Sequence, residues 1–450
     1  MSLFQKVWST VKEDALLGKV IRNSAHLFSS NSLSLVLSMG QGVLAARLLG
    51  PAGYGLVGIV MGYASTINGL LSFRMSELVV RYGGEYLERG ERDKTAALVK
   101  AASLTEGAVS VIAFLVVILS AGLATRYFAK TPGTESLFIV YALGLLANFN
   151  IETSTGILQV TDRIRLQGVI NLIQTIATAG IITAAFFLQG SLQIVLGAYL
   201  LGKAILGLGM FITAQVHLHR AIQRGWLTAS ISSLPALGQM VKFSISSNLS
   251  ATAILVFRES EILWVGFFLS SEAAGYYKAA YAIILLLALP VHPLILTVHP
   301  ELNRLIVQKA WPRLRDFLRK VTTLSFVYNF ILGLGLVIFG RWILWIYGEQ
   351  YTVAYPALMA LLVGMVFNFT LFWNRPLLLS FSLPTFPLVA IIVAGLLKIG
   401  LAFPLVPRFG YVMEAGLLSL YYIVSVGLMV WRGVDEIRRQ EANVLPGSVA

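Results

Sequence analysis

The sequence predicts an all-α protein that crosses a membrane about twelve times. Three observations carry that reading. The chain is 57% hydrophobic and only 12% charged, with a mean hydropathy of +0.78, whereas a soluble domain is roughly a quarter charged. Apolar runs of about 20 residues, the length a helix needs to cross the hydrocarbon core, recur from end to end. Basic residues gather in alternate loops, which is what orientation in a bilayer produces. Runs of that length read as helices because lipid offers backbone groups no hydrogen bonds.

In order, Met1 to Arg22 carries Lys6, Lys12, Lys19 and Arg22 and is polar and amphipathic. It lacks the short apolar core and small-residue cleavage site of a removable signal, so residues 1–26 read as a cytoplasmic amphipathic segment. The spans follow at roughly 27–49, 54–80, 97–126, 136–159, 166–188, 191–214, 238–268, 274–299, 317–346, 355–380, 385–406 and 411–432.

Loop charge sets the orientation. Arg81, Arg89, Arg92, Lys94 and Lys100 follow span two, Arg163 and Arg165 follow span four, and Arg220 and Arg224 follow span six. Arg304, Lys309, Arg313, Arg315, Arg319 and Lys320 follow span eight, and Arg432, Arg438 and Arg439 close the chain. The alternate loops, Gly50 to Gly53, Gln189-Gly190, Ser270 to Ala274 and Pro407 to Gly410, are nearly bare. Both termini are then cytoplasmic, in a multi-pass protein of the cell's inner (cytoplasmic) membrane. The formal charge of +13 follows from these loops and signals no nucleic-acid partner.

The halves repeat. A gapless shift of about 220 residues lays Leu49-Gly-Pro-Ala-Gly-Tyr-Gly55 on Leu269-Ser-Ser-Glu-Ala-Ala-Gly275. It lays Tyr127 on Tyr347, Asn148-Phe149 on Asn368-Phe369, and the basic loop at Arg89 on that at Lys309. Six spans per half is an even number, so both halves face the same way. The expectation is two six-helix bundles related by a pseudo-two-fold axis along the membrane normal, with a substrate site between them. The boundaries are an N-lobe at 27–214, a cytoplasmic linker at 215–237, a C-lobe at 238–432 and a cytoplasmic tail at 433–450.

Ionisable residues inside the spans are costly, and they persist where they meet a partner, water or a substrate. Span seven carries Arg258, Glu259 and Glu261. Arg258 and Glu261 are three apart and share a helix face, and Thr252, Asn248, Ser247 and Ser244 fall on roughly the same side. Two readings stand: a buried structural ion pair, or the lining of a cavity. Span two ends with Arg74, Glu77 and Arg81 at spacings of three and four, either an interfacial ladder or a gate at the cytoplasmic mouth. Span one has a polar stripe, Asn31, Ser34, Ser38 and Gln41, that suits helix packing or a cavity equally. Glu152, Lys203 and Lys398 sit deep and need partners in space. Lys278 begins span eight, Arg375 lies in the inner half of span ten, and Pro290 and Pro293 should kink span eight around His292.

Several chemistries drop out. There is no cysteine, hence no disulfide, thiolate metal site or cysteine nucleophile. No histidine pair has metal-ligand spacing and no Walker loop is present, so no metal or cofactor is expected and any driving force is ionic, electrical or the substrate gradient. No catalytic constellation is visible, and the protein reads as a non-enzyme.

Ala45-Ala-Arg-Leu-Leu-Gly-Pro-Ala-Gly-Tyr-Gly55 resembles the A-R-x-L-G-P-x-x-Y-G turn that joins the first two helices of polysaccharide flippases. These are the Wzx-type O-antigen and exopolysaccharide transporters of the multidrug/oligosaccharidyl-lipid/polysaccharide (MOP) exporter superfamily. Phe268-Leu-Ser-Ser-Glu-Ala-Ala-Gly-Tyr-Tyr277 is similar to their turn between helices seven and eight. Arg81 matches the basic residue that often ends helix two, and Glu259 or Glu261 matches an acid of helix seven. The resemblance implies a MATE-like fold and transport of an undecaprenyl-diphosphate-linked oligosaccharide to the outer leaflet by alternating access, for polysaccharide biosynthesis. Spans one, two, seven and eight would line a central cationic cavity. Arg258 would be the leading diphosphate contact, since its planar fork donates two hydrogen bonds at once, with Arg74, Arg81, Arg375, Asn248 and Lys278 assisting. Glu259 and Glu261 would hold Arg258 and bind a coupling proton or sodium ion, with Glu77 and Glu152 as further ion-pair groups. Implied partners are the bilayer, the lipid-linked glycan, a polysaccharide polymerase and glycosyltransferases. The rivals are a cation-coupled drug antiporter of the same superfamily, which favours an acidic cavity, and a lipid II flippase, which typically has two more helices. A membrane glycosyltransferase or polymerase would need an external loop that the sequence lacks.

Overall fold

A computed structural model describes residues 15–223, 225–234, 238, 248 and 251–442, with side chains from Ser34 onward except at Ser233, His292, Pro293 and Leu296. The basic residue Lys6, the stripe residues Ser244 and Ser247, Arg224, most of the first half of span seven and the tail beyond Ala442 lie outside the described residues. The described residues are almost wholly helical. The helices are α1 (Ala15–Leu71), α2 (Met75–Leu78, continuing through Glu88), α3 (Arg92–Ala124), α4 (Glu135–Ala147), α5 (Ile151–Val160), α6 (Arg165–Phe187) and α7 (Leu192–Ile222). After them come α8 (Glu261–Phe268), α9 (Ser271–Ile284), α10 (Val291–Val307), α11 (Trp311–Tyr347), α12 (Tyr355–Thr370), α13 (Asn374–Ser380), α14 (Thr385–Phe409) and α15 (Tyr411–Ala442).

Among the described residues, nine stretches are long and apolar enough to cross a membrane, and one of them, Ser34–Glu88, takes in the first two expected spans. Those two are separated by Gly50, whose left-handed backbone (φ 65°) ends one helix before Pro51 begins the next. Span eight is broken where its prolines demand it. A 3-10 turn at Leu285–Ala288 and then Pro290 separate α9 from α10.

The chain forms two compact units, Leu33–Gly275 and Tyr276–Ala450 with Met1–Ser32. Element positions recur with the offset seen in the sequence. α4 and α12 begin 220 residues apart, as do α6 and α14, and α7 and α15 end 220 apart. Asp162 and Ser382, also 220 apart, both take the left-handed conformation, with φ 55° and 58°.

Within the first unit the two matching turn motifs meet. A Cβ on Gly55 would run into the Ser271 carbonyl, and one on Gly275 would run into the Pro51 carbonyl. Gly55 and Gly275 are 220 apart, and so are Pro51 and Ser271. The contact is therefore reciprocal, the local relation that a two-fold imposes. Only glycine lets the backbones cross this closely.

Small polar residues hold helices together elsewhere. The buried Gln41 donates to the Thr175 carbonyl of α6 at 2.7 Å, which assigns that part of the span-one stripe to packing. In the second unit, the Ser419 hydroxyl donates to the Ala360 carbonyl (2.5 Å) and accepts the Gly364 N–H (3.1 Å), locking α15 to α12. Deeper in the same unit, Lys398 finds the partner it needs: Glu414, 3.0 Å away, with side-chain exposures of 1% and 0%.

Candidate functional site

The first unit holds a polar chamber of about 340 Å³ in an otherwise apolar bundle. It forms where helices are interrupted. α1 stops at Leu71, and Ser72 to Arg74 are non-helical, with Arg74 left-handed at φ 51°, ψ 50°. A π-turn at Val79–Gly83 follows within the same stretch. The helical spacing expected of Arg74, Glu77 and Arg81 therefore does not hold, because the helix they were to share is broken beside Arg74 and underwound at Arg81. Arg74 lines the chamber. Glu77 and Arg81 are exposed and do not line it, and Arg81 lies over the Tyr82 ring, 5.4 Å from its centroid.

The turn at Asn148–Asn150 divides span four into α4 and α5. A helix start leaves backbone N–H groups without partners. Here the Glu106 carboxylate of α3, buried in the bundle, accepts the N–H groups of Glu152 (2.8 Å) and Thr153 (2.9 Å). An anion is favoured at this positive helix end. The Glu152 carboxylate then accepts the Ser76 hydroxyl (2.5 Å) and, more weakly, its N–H (3.4 Å). A polar relay thus runs from α3 through the start of α5 to α2, beside Arg74. Glu106, Glu152 and Lys203 all line the chamber. Lys203 rises from α7, with its ammonium 5.5 Å from the centroid of the Tyr141 ring.

Glu106 was not singled out in the sequence, although a lone carboxylate in the middle of an apolar span was signal enough.

Span seven contributes Asn248 and Glu259 to the chamber. A π-turn at Leu255–Glu259 and a non-helical Ser260 interrupt the helix before α8. The Val256 carbonyl is caught instead by the Ser260 hydroxyl (2.8 Å) and the Trp264 indole N–H (3.1 Å). This interruption undoes the shared face expected of Arg258 and Glu261. Arg258 pairs with its neighbour Glu259 at 3.0 Å. Glu259 lines the chamber and Arg258 does not, while Glu261 is buried in the first turn of α8. Lys278, half-buried on α9, and Arg375, exposed on α13, belong to the other unit.

The chamber's charges are thus Glu106, Glu152 and Glu259 against Arg74 and Lys203, with Asn68, Asn148 and Asn248 between them. This lining differs from the purely cationic one expected. It can bind a ligand of mixed charge or a small cation, and its amides suit hydroxyl-rich groups. The positions 220 residues after Arg74, Glu106, Glu152 and Lys203 are Leu294, Phe326, Phe372 and Ile423, so the repeat does not carry the charge. Among the described residues no cluster of metal-ligating side chains occurs.

Residues 20–305 match the family described as polysaccharide biosynthesis protein. The chain belongs to that family. It is 25% identical over 353 residues to "Inner membrane protein YghQ" of Escherichia coli strain K12, covering 76% of this chain and 96% of that protein. Its fold matches the inward-facing form of a multidrug resistance MATE family transporter of the MOP superfamily, with TM-score 0.72 and 13% identity over 91% and 96% of the two chains. It also matches the lipid II flippase MurJ in an inward closed conformation, with TM-score 0.72 and 15% identity over 93% and 90%. A third likeness is to a MOP superfamily transporter from Pyrococcus furiosus whose binding pocket has reverse polarity, with TM-score 0.64 and 14% identity over 94% and 96%. The chain is thus a multi-pass helical member of the polysaccharide biosynthesis family whose fold is that of the MOP superfamily transporters it matches.

Proposed function

We propose that the protein moves a polyprenyl-diphosphate-linked oligosaccharide from the cytoplasmic to the outer leaflet, by exposing its chamber to each side in turn. The observation that carries this is the chamber itself: charged and amide side chains gathered in an apolar bundle, in a member of a polysaccharide biosynthesis family. Arg74 and Lys203 are the cations within it that suit the diphosphate, and Asn68, Asn148 and Asn248 suit sugar hydroxyls. Glu106 and Glu152 are placed to take a coupling proton or sodium ion. Arg258, Lys278 and Arg375 remain candidates for contacts outside the chamber. The partners on this reading are the glycosyltransferases that supply the glycan and the polymerase that consumes it. Loop charge argues for cytoplasmic termini.

The test is export. Cells carrying R74Q/K203Q at normal membrane abundance should lose most surface polysaccharide and accumulate the lipid-linked precursor inside. Unchanged polysaccharide would remove the chamber from the proposal. One observation favours a second reading, a cation-coupled drug antiporter: carboxylates outnumber cations in the chamber by three to two. Dye efflux in a pump-deficient host, abolished by E106Q, would support that reading over the first.

A further inference from the structure

Among the described residues the two units differ at one surface. In the first unit the start of α3 and the end of α7 are covered by the segment that follows α7. Leu234 joins the core formed with Leu98, Val99, Ala102 and Leu218, and Trp226, Ala229 and Ile231 pack against it. The Lys100 ammonium donates to the Ala229 carbonyl at 3.0 Å and pins the segment down. Val99 and Leu218 are consequently buried, at 1% and 2% exposure.

In the second unit the described residues form an open groove of about 490 Å³ at the matching surface, between α11, the α12–α13 turn and α15, and the segment that follows α15 lies outside the described residues. The positions 220 residues after Val99 and Leu218 are Arg319 and Arg438. Both line the groove and both are exposed. Its apolar wall is Leu318, Leu371, Val434 and Ile437, and Trp373 lies across it with its indole N–H donated to the Thr322 hydroxyl (2.7 Å).

Among the described residues neither arginine has an acidic partner, and the nearby carboxylates are engaged. Glu441 pairs with Arg315, Asp316 with Lys320, and Asp435 and Glu436 with Arg432 and Arg439. Two guanidinium forks beside an apolar wall, at the ends of membrane spans, match a phosphate carried on a lipid. We propose that this groove binds the headgroup of an anionic glycerophospholipid, with Arg319 and Arg438 on the phosphate and the acyl chains along Leu318 and Val434. That the leaflet is the cytoplasmic one rests on the orientation proposed above, and the binding does not.

The test uses the full-length protein purified in mild detergent, incubated with phosphatidylglycerol or phosphatidylcholine, with retained lipid counted by native mass spectrometry. The wild type should retain phosphatidylglycerol in preference, and R319Q/R438Q should lower that preference about tenfold or more. R341Q/R408Q, which removes two exposed arginines elsewhere in the same unit, should leave it unchanged. V434W keeps both arginines, fills the groove, and should also lose the lipid. Undiminished retention by R319Q/R438Q or by V434W would overturn the proposal. Equal loss in R341Q/R408Q would reduce it to bulk charge and overturn it too. So would displacement of the lipid by an equimolar amount of inorganic pyrophosphate, which would mark a site for soluble anions.

Discussion

Removing Lys398 alone should damage the fold far more than removing it together with Glu414. Their 3.0 Å contact lies where both side chains are essentially without solvent. At that distance the attraction is about 5–6 kcal/mol with an effective dielectric constant near 20. Burying the two ions costs several kcal/mol each, so the pair as a whole sits near break-even. K398M leaves Glu414 buried and uncompensated, at a cost of about 3–5 kcal/mol. K398M/E414L removes both charges and should fall within about 1–2 kcal/mol of the wild type. The repeat supports this expectation. The positions 220 residues earlier are Thr178 and Ile194, and Thr178 bonds its own helix, donating to the Gln174 carbonyl at 2.9 Å. The fold therefore accommodates this level without charge. The assay is thermal melting of detergent-purified protein, read as the loss of monodisperse protein by fluorescence size exclusion. The single variant should melt roughly 6–20 °C below the wild type, at about 2–4 °C per kcal/mol, and the double variant should recover most of the loss. A K398M protein as stable as the wild type, or a double variant worse than both singles, would refute the reasoning.

Other outcomes follow from single contacts. E106A strands two N–H groups at the start of α5, and at about 1–3 kcal/mol each it should cost about 2–6 kcal/mol in the same melt, with E106Q retaining about half through its one remaining acceptor. G55A and G275A should each sharply lower the yield of folded protein, because the added methyl meets backbone carbonyl rather than a movable side chain; normal yield from either would contradict the close crossing. The chain contains no cysteine, so single cysteines introduced at Gly90 and Gln189 report topology cleanly. An impermeant maleimide should label Gln189→Cys from outside intact cells, and Gly90→Cys only after permeabilisation.

The fold was legible because its two strongest determinants are local. Lipid forces every apolar run into a helix, so span limits such as 136–159 and 385–406 fall within a few residues of Glu135–Val160 and Thr385–Phe409. The 220-residue offset was legible because turns and basic loops survive divergence better than apolar faces do. The site was legible only in part. Arg74, Glu152, Glu259 and Asn248 do line the chamber, but the shared helix faces inferred from spacing do not form. Spacing arguments assume an unbroken 3.6-residue helix, and the chain breaks or underwinds it at Ser72–Arg74, Val79–Gly83 and Leu255–Ser260. Those interruptions depend on which carbonyls find partners in space, as Val256 does with Ser260 and Trp264. No local pattern encodes that.

The repeat also separates what the fold needs from what the site needs. If Glu106, Glu152 and Lys203 were there to hold helices together, the second copy would need equivalents. It places Phe326, Phe372 and Ile423 at those positions, and there the helix matching α5 starts three residues later in the repeat, at Asn374. Apolar side chains would be the cheaper choice in lipid by about 2.5–3.5 kcal/mol per charged group at mid-bilayer on insertion scales. A charged passenger or coupling ion, as proposed above, would account for a cost of that size converging on one chamber, beside the part Glu106 plays in holding the start of α5. Arg319 and Arg438 follow the same logic at the membrane surface. Where the chain covers its own groove the positions are Val99 and Leu218; where the described residues leave it open they are arginine, and a lipid phosphate is the ligand proposed for them.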